Sequence, residues 1–138
     1  MNDPAWLLLD THIWIWWVKQ DRQLSPAIAR RLEESKATLA ISSISMYEAI
    51  LLIRRRRIEI DLLLQEWLYA ATVEAGIEIY PVDVGIATKA ATLPLQHGDP
   101  LDRIIIATAL HYDALLVSVD SQFPYYEALA GRLISDKD

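Results

Sequence analysis

Trp6-Leu7-Leu8-Leu9-Asp10-Thr11-His12 is the stretch on which the fold turns. Four consecutive apolar residues with no polar alternation describe a strand covered on both faces, as in a parallel sheet rather than a half-solvated antiparallel one. An aspartate directly after such a strand stands at its carboxyl end, where ligands bind in open parallel sheets. Outward from this stretch, further apolar runs follow over 38–41, 77–80, 115–119 and 133–134. Between the runs, helical spacing covers 11–18, 26–35, 45–56, 61–75, 84–93 and 101–112. Ser25-Pro26 and Asp99-Pro100 each set a cap before a proline at the first helical position, and Gly76 closes the long central helix. Strands alternating with helices predict an α/β chain, a three-layer α/β/α sandwich with a central, mostly parallel sheet.

Composition bounds the rest. With 138 residues, 53% of them hydrophobic and 23% charged, the chain carries enough apolar material for one domain over 1–138. No linker, low-complexity tract or repeat divides it. The absence of cysteine excludes disulfides and thiolate metal sites and fits a cytoplasmic location. The apolar run at 6–9 is broken at once by Asp10, so neither a signal peptide nor a membrane span is expected. A net charge of −6 opposes nucleic-acid binding through the overall field, but Arg54, Arg55, Arg56 and Arg57 form a local basic run. A solvated helix end explains such a run equally simply.

The acidic residues are more informative by position than by number. Asp10 follows the first apolar run, and Asp120 follows another in Leu115-Leu-Val-Ser-Val-Asp120. Asp102 falls in the first turn of the helix opened by Pro100, and Glu48 is expected in the first turn of the helix after the second strand. Helices that follow parallel strands start at the same sheet edge, so all four groups can converge. Four ionised carboxylates together repel one another, and a divalent cation resolves the conflict. Magnesium or manganese, hard ions with oxygen ligands, suit a set with neither cysteine nor paired histidines, and phosphodiester hydrolysis is their natural chemistry.

Each residue also has a plainer reading. Ser45-Met-Tyr-Glu48 matches a capping box, Asp99 an N-cap, Asp102 a favourable charge at a helix start, and Asp120 a turn opener. Thr11 looks a better helix cap than Asp10. His12, His97 and His111 are far apart in sequence and read as structural, with His97 nearest the expected site. Four glycines offer no phosphate loop, nucleophile elbow or dinucleotide fingerprint.

Four ordered blocks carry a resemblance over nearly the whole chain: Leu-Leu-Leu-Asp10-Thr-His-Ile-Trp-Ile-Trp-Trp, Ile-Ser-Ser-Ile-Ser-Met-Tyr-Glu48, His97-Gly-Asp-Pro-Leu-Asp102-Arg and Leu-Val-Ser-Val-Asp120. Together they closely resemble the PIN-domain ribonucleases, in particular toxins of the VapC type. The resemblance implies an Mg2+- or Mn2+-dependent endoribonuclease with Asp10, Glu48, Asp102 and Asp120 as its acidic quartet. It makes Thr11, Ser118 and Asp99 supporting groups, and implies a homodimer, RNA as substrate and a small cognate antitoxin as partner. The all-apolar 13–18 helix is then either core or, in part, a groove for an antitoxin helix. Among rivals, a haloacid-dehalogenase-type phosphotransferase wants an aspartate where His12 stands. A phospho-accepting receiver wants a paired early acid and a late lysine. A DNA-directed nuclease differs only in its substrate, since an activated water does not need the RNA 2′-hydroxyl.

Overall fold

The computed structural model describes residues 5–94 and 99–136. Strand β1 (Trp6–Leu9) leads into helix α1 (Thr11–Lys19) and helix α2 (Pro26–Glu34), followed by β2 (Thr38–Ser42) and α3 (Ser43–Arg54). Helix α4 (Leu64–Tyr69) runs into a π-helical turn (Ala70–Glu74) before β3 (Glu78–Tyr80) and α5 (Val84–Thr92). Helix α6 (Pro100–His111), β4 (Leu115–Val117), two 3-10 turns (Phe123–Tyr125 and Glu127–Leu129) and β5 (Leu133–Ile134) complete the chain. The five strands form one sheet in the order β3-β2-β1-β4-β5, with every pairing parallel.

Both faces of the sheet are covered, as the unbroken apolar run requires. Leu7 and Leu9 point into a core shared with Ile13, Trp14, Ile28, Leu32 and Trp67 from α1, α2 and α4. Leu8, between them, points into the opposite core with Ile105, Ile106 and Ala109 of α6. Three layers result. Helix α5 packs on α6, burying Ile86 and Ala90 against Ala107.

Several boundaries differ from the sequence reading for identifiable reasons. The central helix begins at Leu64 rather than Asp61, and it widens to π geometry from Ala70. There the indole Nε1 of Trp14, fully buried in α1, donates to the carbonyl of Ala71 at 2.8 Å, and a side chain inserted into the ladder is a standard cause of such a bulge. Gly76, at φ +70°, ends this segment in the left-handed conformation expected of it. Strand β4 stops at Val117 rather than Val119, which frees Ser118 and its neighbours from strand pleating.

Candidate active site

The sheet order reverses direction between β1 and β4, and this switch point is where Asp10 emerges. The Asp10 backbone N–H donates to the Val117 carbonyl at 3.0 Å, so the ends of the two central strands are tied together at this residue. Asp10, not Thr11, is the N-cap of α1. Its backbone is extended (φ −61°, ψ 157°) and its Oδ1 accepts from the Thr11 N–H at 2.8 Å. Its other oxygen, Oδ2, accepts from the Ser118 hydroxyl at 2.7 Å. Burial pushes Asp10 above the usual carboxylate range, and the bonds from Ser118 and Thr11 oppose the shift.

Helix α3 starts three residues earlier than the capping-box reading requires. Ser42 is its N-cap, accepting from the Ile44 N–H at 3.2 Å, and this overturns the capping role of Ser45. Ser45 is instead fully buried inside the helix. Its hydroxyl lies 2.8 Å from Thr11 Oγ1, which donates to Glu48 Oε1 at 2.7 Å. A hydroxyl carries one proton, so with the Thr11 proton on Glu48 it is Ser45 that donates to Thr11. Glu48 therefore stands in the second turn, is not engaged with the start of its own helix, and is held beside Asp10 by α1. Burial raises it most, while the Thr11 bond lowers it and the charges of Asp10 and Asp99 raise it further.

Asp99 caps α6, its Oδ1 accepting from the Leu101 N–H at 2.9 Å. Asp102 follows in the first turn and is pushed from an ordinary 3.8 up to about 7. Burial is the largest cause, followed by the negative charges of Asp99, Asp10, Asp120 and Glu48. Asp120 lies past the end of β4. Its N–H donates to Ser118 Oγ at 3.1 Å, and its Oδ1 accepts from the Gln122 N–H at 2.8 Å, an Asx turn. Ser118 thus bridges Asp120 and Asp10.

Three groups near these acids escaped the sequence reading. Ser45 lay hidden as a presumed cap. Tyr126, buried in the α6 core, feels the charges of Asp102 and Asp120, although burial is the main cause of its raised pKa. His12 is exposed and tilted against Trp16 at 5.7 Å between ring centroids, and its charge lowers both Asp10 and Glu48. An isolated histidine has no sequence spacing to interpret, so nothing in the chain marks it. His97 lies outside the described residues.

The donor set is all oxygen, and the charges of neighbouring acids help to raise Asp10, Glu48 and Asp102, the pattern of a site that balances its charge with a cation. Among the described residues, no three acidic or histidine side chains stand close enough as placed to hold an ion. The fit therefore rests on donor chemistry and shared field.

The switch-point acids on a five-stranded parallel sheet define a carboxylate-centred α/β domain. The PIN domain family model matches residues 7–129, so the chain belongs to the PIN-domain family. It is 31% identical over 115 residues to ribonuclease VapC22 of Mycobacterium tuberculosis, covering 83% of this chain and 86% of that protein. Its fold is shared with a chain in the VapBC2 structure from Rickettsia felis bound to a promoter DNA fragment, at a TM-score of 0.67 and 21% identity over 94% of this chain and 98% of that one. It is shared too with a chain of the DNA-bound VapBC structure from Salmonella typhimurium, at a TM-score of 0.64 and 20% identity over 98% of each. A toxin-antitoxin complex from Klebsiella pneumoniae aligns at a TM-score of 0.63 and 20% identity, over 93% of this chain and 95% of that one.

Proposed function

We propose that this chain is a metal-dependent endoribonuclease, the toxin of a toxin-antitoxin pair, and that Asp10, Glu48, Asp102 and Asp120 form its active site. The observation that carries the reading is the set of acids at the β1/β4 switch point of a PIN domain, with Asp10 bridged to Asp120 through Ser118 and to Glu48 through Thr11. The similarity to a VapC ribonuclease supports RNA as substrate, and the toxin-antitoxin neighbours support a cognate antitoxin. Among the described residues no helix is long and apolar enough to cross a membrane. The proposed enzyme is cytoplasmic, one nuclease domain over 1–138 that assembles as a homodimer.

The four acids would hold Mg2+ or Mn2+. Such an ion, when bound, lowers the pKa of water and offsets charge on a phosphoryl oxygen. The chain's own residues set the stage for it. Ser118 and the Thr11 N–H keep the Asp10 carboxylate in one orientation, and the Ser45-Thr11-Glu48 relay does the same for Glu48. Asp102, pushed up to about 7, is partly protonated near neutrality and must lose that proton before the full charge of the site develops.

Purified protein and its Asp10→Asn variant, incubated with total RNA and Mg2+, Mn2+ or chelator, test the reading. RNA is cut by the parent with metal only, and not by the variant. Cleavage that persists in chelator or in the variant overturns the assignment, and cleavage of DNA in preference to RNA transfers it to the deoxyribonuclease reading.

A further inference from the structure

Helix α3 carries Glu48 in its second turn and ends at Arg54, capped by Arg55 and followed by Arg56 and Arg57, all four exposed. The ion pair formed among the described residues joins Arg132 to Asp113, and none of the four arginines has an acidic partner there. Arg55 is seven residues after Glu48 and keeps the helical bond from its N–H to the Leu51 carbonyl at 2.9 Å. Seven residues are almost two full turns, so Arg55 lies on the same stripe as Glu48, about 10 Å along the axis. By the same spacing Arg54 lies below Tyr47, a tyrosine 54% exposed and next to Glu48 in sequence.

Arg56 has φ +58°, the left-handed conformation that favours glycine, and the Arg57 N–H closes back onto the Leu52 carbonyl at 2.8 Å. Ending the helix would be served better by glycine. Gln20 and Asp113 take the same conformation past α1 and α6, so it marks a helix end; what suits phosphate here is the guanidinium group, which matches its oxygens in bidentate geometry. A chain of net charge −6 with an acidic centre otherwise repels a polyanion, so a local basic end has an electrostatic reason to exist. An exposed aromatic beside Glu48, on the stripe that leads to Arg54, suits a nucleobase and has no counterpart in the needs of an acidic peptide.

We propose that this side of α3 is a single-stranded RNA track, on which Tyr47 stacks a base beside the cleavage site and the arginines at 54–57 hold phosphates about three stacked nucleotides away. The track rests on the ribonuclease reading and extends it to the flank of the substrate.

The test uses fluorescein-labelled, mixed-sequence oligoribonucleotides of about 2 and about 12 nucleotides, the shorter, at roughly one stacking step, too short to reach the arginines from the acids. Binding is measured in the Asp10→Asn background, and cleavage in the parent background. Replacing Arg54, Arg55 and Arg57 by Gln is expected to lower the slope of log affinity against log salt by about 2 for the long oligonucleotide, near 0.7 per lost phosphate contact. Cleavage of the short one is unchanged. Tyr47→Ala weakens binding of the long oligonucleotide roughly tenfold. Arg56→Gly raises the melting temperature while weakening RNA binding, a combination that a mere helix end cannot produce. Equal affinity and salt slope in parent and variants overturn the track, as does a shift of oligomeric state with RNA affinity intact, which assigns the face to a protein contact. Failure of the parent to cut either oligonucleotide counts against the ribonuclease reading instead, and binding to the Asp10→Asn protein then still decides the track.

Discussion

The Thr11 side chain shows how much one residue can organise. It offers its N–H to Asp10 and its hydroxyl to Glu48, and a buried serine supports it from behind. Thr11→Val keeps the shape and removes the hydroxyl, leaving Ser45 without its partner. The expected loss is about 10- to 100-fold in cleavage rate, as for other groups that orient ligands, together with about 1–3 kcal/mol of stability. Thr11→Ser restores most of both, as read by cleavage kinetics and urea denaturation. Asp102 makes a different prediction. Its pKa is raised to about 7 in the fold from an ordinary 3.8, so the native state holds more protons than the unfolded chain between those values. Stability without metal therefore falls as pH rises from about 4 to about 7, and the cost is complete above that window. Asp102→Asn removes the cost, leaving the metal-free variant more stable than the parent by about 2 kcal/mol near pH 8 after solvent screening, and equal to it near pH 4. Chemical denaturation at both pH values checks this, and a variant destabilised equally at both contradicts it.

At the scale of elements, the register of α3 and the widening of α4 were the least legible features. A serine three residues before a glutamate satisfies the capping-box pattern, and nothing local distinguishes Ser45 from Ser42 as the cap. The choice is made by packing, because starting at Ser43 turns Ser45 inward to Thr11 and sets Glu48 one turn deeper. The π turn depends likewise on Trp14, fifty-seven residues earlier, whose indole takes the Ala71 carbonyl. Trp14→Phe leaves that carbonyl without its donor and opens space against Trp67, 5.6 Å away between ring centroids. It is expected to cost about 2–4 kcal/mol, measured by urea unfolding, and a loss below about 1 kcal/mol would mean that the bulge does not depend on the indole. The apolar character of α1 has a matching explanation: Ile13, Trp14 and Ile15 are buried in the core, whereas Trp16, Trp17 and Val18 are only half covered.

For the whole molecule, the energetic compromise is a stable apolar sandwich that supports a self-repelling acidic edge. A cation that binds the native state alone stabilises it by about 2.7 kcal/mol at a hundredfold excess over its Kd. Thermal melts should rise with Mg2+ or Mn2+ in the parent and stay flat in Asp10→Asn, and a flat response in the parent rejects the metal site. Much of this architecture was readable from the chain. Uninterrupted apolar runs separated by helical spacing determine a doubly covered parallel sheet, because strand burial and helix periodicity are local properties of the residues. The placement of Asp10 and Asp102 followed from the same logic. Tertiary structure alone decided that β1 and β4 are neighbours, that Ser118 joins Asp10 to Asp120, and that Thr11 reaches Glu48 across thirty-seven residues. Strand order and long-range side-chain contacts depend on how packed layers meet in space, and no pattern within one segment encodes that meeting.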